Sequence, residues 1–416
     1  MPLTPDHQAD KPVTTMTQFG DPKRPQDYPR RVLLLVTGLS PQVITEALFA
    51  LAVDNPDPWI PTEVEVVTTA EGAERVRLAL LSQQPGWFRR LREDYRLPQI
   101  QFGIANIHVV RDPYGSPLAD VRSVADSQQA ADQITERVRT LSAEPDCALH
   151  VSIAGGRKTM GYYAGYALSL FGRPQDRLSH VLVSEPFESS WEFFYPAPAS
   201  RVMTTRDNKL VDAAEARVTL AEIPFLRLRD GLPKRLIEGA ATFGESVEAA
   251  QRALAPPDLA IDLAGGRIRA GGEVVPLPPA ILAFYALMAH RRLQGMHAAR
   301  WDTDGLAQQY LAEYRRIAGD WSADLERIEQ ALADGMTQEY FEQRKSRTNT
   351  ALEGALGPQL AAPYLIHSDG SRPRTRYGLR IAPEAIRFGA LHGVAPATAS
   401  LPPDPNAGHP CDPDAE

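Results

Sequence analysis

Two short stretches concentrate the chemistry-bearing residues of this 416-residue chain. The first, residues 152–161, reads "SIAGGRKTMG": Gly155 and Gly156 precede Arg157, Lys158 and Thr159. Paired glycines let the backbone turn sharply and present N–H groups, and a helix beginning at the cations adds its positive end. Such a turn suits an anion, above all a phosphate. It is not a Walker A loop, which requires G-x-x-x-x-G-K-[ST] with Lys directly after the last glycine, so ATP hydrolysis is disfavoured. The second stretch, "TGLSPQVITE" at 37–46, has Gly38 where the chain leaves a strand, Ser40 in the place of a helix N-cap and Pro41 at the first helical position. If the two turns share a rim, Thr37 and Ser40 become candidate contacts to phosphate or ribose.

Neither turn carries a general base, and no histidine or carboxylate pair with metal-ligand spacing accompanies them. Any reaction there must take its attacking group from the ligand. RNA offers one, a 2′-hydroxyl in line with the adjacent phosphodiester, which cleaves it to a 2′,3′-cyclic phosphate. The protein would contribute geometry and charge stabilisation of the phosphorane, with Lys158 the best-placed cation.

The elements that must position these turns are legible in the surrounding pattern. "RVLLLVTG" is a short apolar run expected of a strand buried on both faces, and "PQVITEALFALAV" follows with helical spacing. "EVEVVTT", "IQFGIANIHVV", "CALHVSIAG" and "SHVLVSE" repeat the strand signal between helical segments. The expectation is an α/β fold with an open, doubly wound, mostly parallel sheet, whose ligands bind outside the C-terminal ends of the strands. "RVTLAEIPFLRLRDG" at 216–230 reads as a β segment leading out of this unit, and "KRLIEGAATFGESVEAAQRALA" as one amphipathic connector helix.

Length predicts two folded units. The boundaries expected are a disordered segment over 1–29, the α/β unit over 30–232, the connector over 233–255, a smaller α+β unit over 256–393 and a disordered tail over 394–416. With a formal net charge of -8, the chain has no general pull on polyanions, so an anion site must be local. Two cysteines, Cys147 and Cys411, exclude a disulfide framework. The polar N-terminus lacks the apolar core of a signal peptide and no run reaches the ~18 apolar residues of a membrane span, so a cytoplasmic protein without membrane contact is expected.

The runs "LLLVTGLSPQVITEAL", "EVEVVTT", "LHVSIAGGRKTMGYYAGYALSLFG" and "HVLVSEPFE" closely resemble the CRISPR-associated CARF-domain ring nucleases over roughly residues 30 to 230. The resemblance implies a Rossmann-like CARF domain that forms a two-fold homodimer and binds a cyclic oligoadenylate messenger of type III antiviral signalling across the axis. It implies metal-independent cleavage of cyclic tetra-adenylate to linear di-adenylate with a cyclic phosphate end, and no cofactor. By position, Ser40 and Lys158 are the implied catalytic residues, Arg157 binds phosphate and Thr159 contacts ribose or phosphate. Gly38, Leu39, Gly155 and Gly156 shape the walls. Gln42 and Glu46 lie on the helix behind the first turn, Glu46 being alternatively a structural cap or ion-pair partner. Asn106, Asp112 and Arg122 are candidates for a loop covering the ligand.

The second unit opens with "LAIDLAGGRIRAGGEVVPLPP", a hairpin or meander pattern, continues with helices and closes on "PYLIHSDGSRPRTRYGLRI", two strands joined by a charged loop. That is the order of a winged helix-turn-helix domain. Its DNA contacts would be Arg344, Lys345, Arg347 and Asn349 on a recognition helix and Arg372, Arg374 and Arg376 on the wing. A sensor that reads the messenger onto DNA without cutting it is the alternative function. Arg292 with His297 and Arg387 with His392 have the spacing of a HEPN ribonuclease pair, a third reading.

Overall fold

The computed structural model describes residues 21, 24–188, 190–205, 207–319, 323–370 and 374–391. These residues form two compact units, one from those up to 256 together with 352–362, the other from 257–351 together with those from 363 onward. The expectations for the far N-terminus and for 394–416 lie outside the described residues. Residues 25–27, assigned to the N-terminal tail from sequence, form a 3-10 turn, and Tyr28 beside them is buried.

The first unit is built on a six-stranded sheet. Its elements are β1 Arg30–Val36, α1 Gln42–Ala52, β2 Glu63–Thr68, α2 Ala70–Val76, α3 Trp87–Asp94, β3 Ile107–Val109, α4 Val124–Ala143, β4 Cys147–Ser152, α5 Lys158–Phe171 and β5 Arg177–Val183. A small hairpin, β6 Val202–Thr204 and β7 Leu210–Asp212, precedes β8 Val218–Glu222, α6 Lys234–Glu238 and α7 Phe243–Leu254. The strand order is β3-β2-β1-β4-β5-β8, parallel except for β8. This is the doubly wound, Rossmann-like arrangement, and its order reverses direction between β1 and β4.

The apolar continuity of β1 follows from burial on two faces. Leu33 and Leu35 pack into one core with α1, α3 and the aromatic segment Phe193–Tyr195, while Val32, Leu34 and Val36 pack into the other with α4, α5 and α7. Each of these five side chains is fully buried, worth roughly 1.5–3 kcal/mol apiece as an upper range. Helix starts follow local rules where the sequence supplies them: Ser123 and Asp126 form a reciprocal capping box on α4, and Thr242 and Glu245 do so on α7.

Three expectations change. Of "IQFGIANIHVV" only Ile107–Val109 is strand, because a 3-10 turn at Ile104–Asn106 interrupts the run and leaves Gln101 a lone bridge to Glu63. Residues 218–222 do not lead out of the unit: β8 pairs antiparallel with β5, Val183 opposite Val218, and forms the sheet edge. The connector is two helices, broken between Gly239 and Thr242, and α7 packs on α4 and α5 of the first unit.

The second unit contains β9 Leu259–Asp262, β10 Arg267–Ala270 and β11 Glu273–Pro276 as an antiparallel meander, then α8 Pro279–Leu293, α9 Leu306–Ala318, α10 Ala323–Ala331 and α11 Gln338–Leu356. The short α12 Pro358–Ala361 follows α11 and belongs to the first unit. The hairpin of β12 Ile366–Asp369 and β13 Arg376–Leu379 follows, and β14 Ile386–Phe388 returns to pair parallel with β9. The fold is thus a Rossmann-like domain with a smaller, mixed α and β domain. No helix among the described residues is long and apolar enough to cross a membrane.

Candidate functional site

The turns after β1 and β4 stand side by side, because β1 and β4 are parallel neighbours and both turns leave C-terminal strand ends. This is the place where the sheet order reverses, and α1 and α5 pack on opposite faces. The two turns meet backbone to backbone, and Gly156 is the position there that requires glycine. A Cβ on Gly38 would meet Gly156 Cα at 3.4 Å, and Gly156 itself has φ +79, a conformation that L side chains rarely adopt. A Cβ on Gly155 would come within 2.9 Å of Val43 and 3.0 Å of the Thr37 hydroxyl.

The resulting edge carries the predicted polar groups outward. Arg157, Lys158 and Thr159 are exposed at the start of α5, a 14-residue helix with no side-chain cap on its amide end. Across the Gly38–Gly156 contact, Leu39 and Ser40 are exposed. Ser40 does not cap α1: the helix begins at Gln42, with Pro41 in the cap position and no capping side chain. The Ser40 carbonyl instead accepts the hydroxyl of the fully buried Thr37 at 3.0 Å. Thr37 therefore shapes the turn from beneath and offers no free hydroxyl to a ligand.

Arg157 is held. Its Nε donates to Asp120 at 3.0 Å and a second N–H also contacts that carboxylate, whose pKa is lowered first by the Arg157 hydrogen bond. Asp120 belongs to the loop after β3, in which Arg122 also bonds Asp120 at 3.2 Å and Asp112 accepts from the amides of Tyr114 and Ser116. This loop reaches the cationic turn through Asp120, while Asp112 bonds within the loop and Arg122 bonds Asp120. Asn106 does not come to the site. It precedes β3, at the opposite rim, where it donates to Glu63 at 2.8 Å. Lys158 makes no ion pair among the described residues.

Several neighbours carry no signal in the sequence. Gly72 in α2 lies so close that a Cβ there would meet Thr68 Oγ1 at 2.1 Å and the Gly38 carbonyl at 2.5 Å. On the α1 side, an apolar cavity of about 610 Å³ opens beside the first turn, lined by Leu39, Pro41, Gln42, Trp87, Trp191 and the arginines Arg75 and Arg201, among others. Trp191 is 80% exposed, while Trp87 stacks on Phe194 at 4.9 Å. The Gln42 amide donates to the Trp191 carbonyl at 3.2 Å, leaving its Oε1 buried without a partner. These residues meet only through the loop between β5 and β8, far from the turn in sequence. Glu46, one helical turn after Gln42, is 9% exposed. Burial, and then the charge of Glu188, push its pKa up to about 8. It forms no ion pair among the described residues, which removes the ion-pair role considered for it.

The second unit's candidates divide. Asn349 is a structural residue: its amide donates to the Ile366 carbonyl at 3.1 Å and accepts the Ile366 N–H at 2.9 Å, tying α11 to β12. Arg344 lies over the Tyr340 ring, and Lys345 contacts Glu342 and sits over Tyr377. Arg347, Arg374 and Arg376 are exposed, and Arg372 lies outside the described residues. Arg292 and His297 line one cavity. Arg387 is 3.8 Å from Asp258, and His392 is outside the described residues.

Among the described residues no cluster of three or more metal-ligating side chains occurs. What the first unit presents is a cationic, glycine-built edge at a sheet switch point, with an aromatic cavity beside it. No curated protein matches the chain. The profile of the family described as CRISPR-associated protein NE0113 matches residues 40–256, beginning at Ser40 and running through the second turn and the rest of the sheet. That is just over half of the sequence, and this chain belongs to the CRISPR-associated NE0113 protein family.

Proposed function

We propose that this protein is a CARF-type ring nuclease: as a homodimer it binds a cyclic oligoadenylate, the tetramer by preference, and cleaves it to linear di-adenylate ending in a 2′,3′-cyclic phosphate. The observation that carries the reading is the contact of Gly38 with Gly156, which leaves Ser40 and Lys158 exposed on adjoining turns at the switch point. Membership of a CRISPR-associated family supports it. So does the cavity lined by Trp191 beside the turn, whose size and apolar wall suit a base, while the uncapped end of α5 suits a phosphate.

In the reaction the ribose 2′-oxygen forms a bond to the adjacent phosphorus and the P–O5′ bond breaks, with the hydroxyl proton passing to solvent and the departing 5′-oxygen taking one up. Two such cuts open a four-membered ring into two dimers. The chain's part is to hold the phosphodiester so that the 2′-oxygen lies in line, and to place the Lys158 ammonium against the charge that grows on the non-bridging oxygens. Ser40, free of capping duty, donates to a phosphate oxygen or orients the ribose. The nucleophile is the ligand's own hydroxyl, so EDTA leaves the reaction intact.

The test is incubation of labelled cyclic tetra-adenylate with the protein in EDTA, followed by separation of products. Lys158→Ala is expected to lower the single-turnover rate by about 10²-fold or more, and Ser40→Ala by a smaller factor. Tight binding with the ring intact after long incubation would replace the enzyme with a sensor.

A further inference from the structure

The second unit contains a cavity of about 420 Å³ between the C-terminal end of α8, the loop over 295–299 and the β12–β13 hairpin. Loop and hairpin are joined by the backbone pairing of Ala299 with Tyr377, at 2.8 and 2.7 Å. Three guanidinium groups line the cavity: Arg291, Arg292 and Arg380. Arg291 is only 9% exposed, and its bonds run to two neutral acceptors, Gln309 Oε1 at 2.9 Å and the His297 carbonyl at 3.0 Å. Its Nε is buried with no acceptor. Arg292 donates to the Ile381 carbonyl at 2.9 Å and Arg380 to the Ser368 carbonyl at 3.1 Å.

Among the described residues none of the three forms an ion pair. Asp369 is the carboxylate in the lining, and it accepts from the Gly370 amide at 3.0 Å without reaching any of these arginines. A guanidinium buried against neutral acceptors alone is costly unless an anion compensates it. Burial, and then the charge of Arg376, lower the pKa of Arg291. The C-terminal dipole of α8 favours cations in its last turn, which accounts for Arg291 and Arg292. It does not account for Arg380, brought to the same cavity by the hairpin, nor for the orphaned Nε.

We propose that this cavity is a second anion site, independent of the first unit's turns, that binds the phosphate of a small phosphorylated ligand. Three guanidiniums against one carboxylate leave a surplus of two positive charges, the complement of a phosphomonoester near neutral pH. Arginine forks match phosphate oxygens in pairs. The volume is that of a small-molecule site, and Met288 and Tyr377 supply wall for an organic remainder.

The experiment is calorimetric titration of the full chain carrying Lys158→Ala, which removes one cation from the first unit's turn while Arg157 remains, with inorganic phosphate, AMP and adenosine as separate titrants; the part of the signal lost on Arg380→Gln belongs to this cavity. Phosphate and AMP are expected to bind and adenosine not to bind. Adding Arg380→Gln, a change at an exposed residue, is expected to weaken binding at least tenfold without altering the melting temperature. AMP binding tighter than phosphate assigns a nucleotide ligand, and equal binding assigns the phosphate group alone; both support the site. Failure of the Lys158→Ala protein to bind phosphate and AMP, or binding unchanged by both Arg380→Gln and Arg291→Gln, overturns it.

Discussion

At the scale of single residues, the site is defined as much by what is already engaged as by what is free. Arg157 reaches a ligand phosphate only by sharing or leaving Asp120. Asp120→Asn removes the competing charge and is expected to tighten cyclic oligoadenylate binding by about threefold to tenfold, measured by titration; weaker binding would mean that the ion pair positions Arg157 for the ligand. Glu46 gives a second prediction. Its folded pKa, about 8, lies above the ordinary 4.5, so the folded chain holds this proton more tightly than the unfolded chain. The advantage of holding it is complete below about pH 4.5 and is lost as pH rises through about 8. Glu46→Gln is therefore expected to raise stability on the order of 2 kcal/mol at pH 8.5 and to leave it nearly unchanged at pH 4.5. Urea unfolding at the two pH values checks this, and a wild type more stable than the variant at pH 8.5 contradicts it.

Among the elements, three glycines let helices and turns approach closely, Gly72 and Gly156 against backbone and Gly155 against the Val43 and Thr37 side chains. Gly155 and Gly156 were visible in the sequence as a doublet before two cations. Gly72 was not, because it sits inside an ordinary helical pattern and its neighbour, the Gly38 carbonyl, is remote in the chain. Gly72→Ala must displace Thr68 or the first turn, and is expected to cost about 1–3 kcal/mol and to weaken ligand binding as well. Gly103→Ala, where a Cβ would meet nothing within 4 Å, is the matched control. Equal stability and affinity in the two variants would show that the contact of α2 with the first turn is dispensable. The edge strand β8 was misjudged for a related reason: "RVTLAE" announces a strand, but whether it pairs with β5 or leaves the domain depends on how the segment after Val183 folds back.

For the whole molecule, the proposed function requires two chains around one ring. Titration of the protein with cyclic tetra-adenylate is expected to saturate at one ring per two chains, with the complex sedimenting as a dimer. Saturation at one ring per chain would remove the two-fold site. In the second unit, the engagement of Arg344, Lys345 and Asn349 within the fold leaves Arg347, Arg374 and Arg376, among the described residues, as the exposed cations of the expected DNA face.

The strands of the parallel sheet other than β3, the two strand-to-helix turns and their residues are legible in the sequence, since continuous apolar runs, helical spacing and glycine doublets are local patterns set by two-sided burial and backbone freedom. Strand order, by contrast, depends on pairings between distant segments. It takes the folded chain to bring Gly38 onto Gly156 and Asp120 onto Arg157, to put Asn106 on the far rim, and to bring Trp191 and Arg201 to the lining of a cavity beside the first turn. The same holds for Arg291, which reads as one more cation at a helix end until the hairpin of β12 and β13 folds beside it and its charge is buried without a counterion among the described residues.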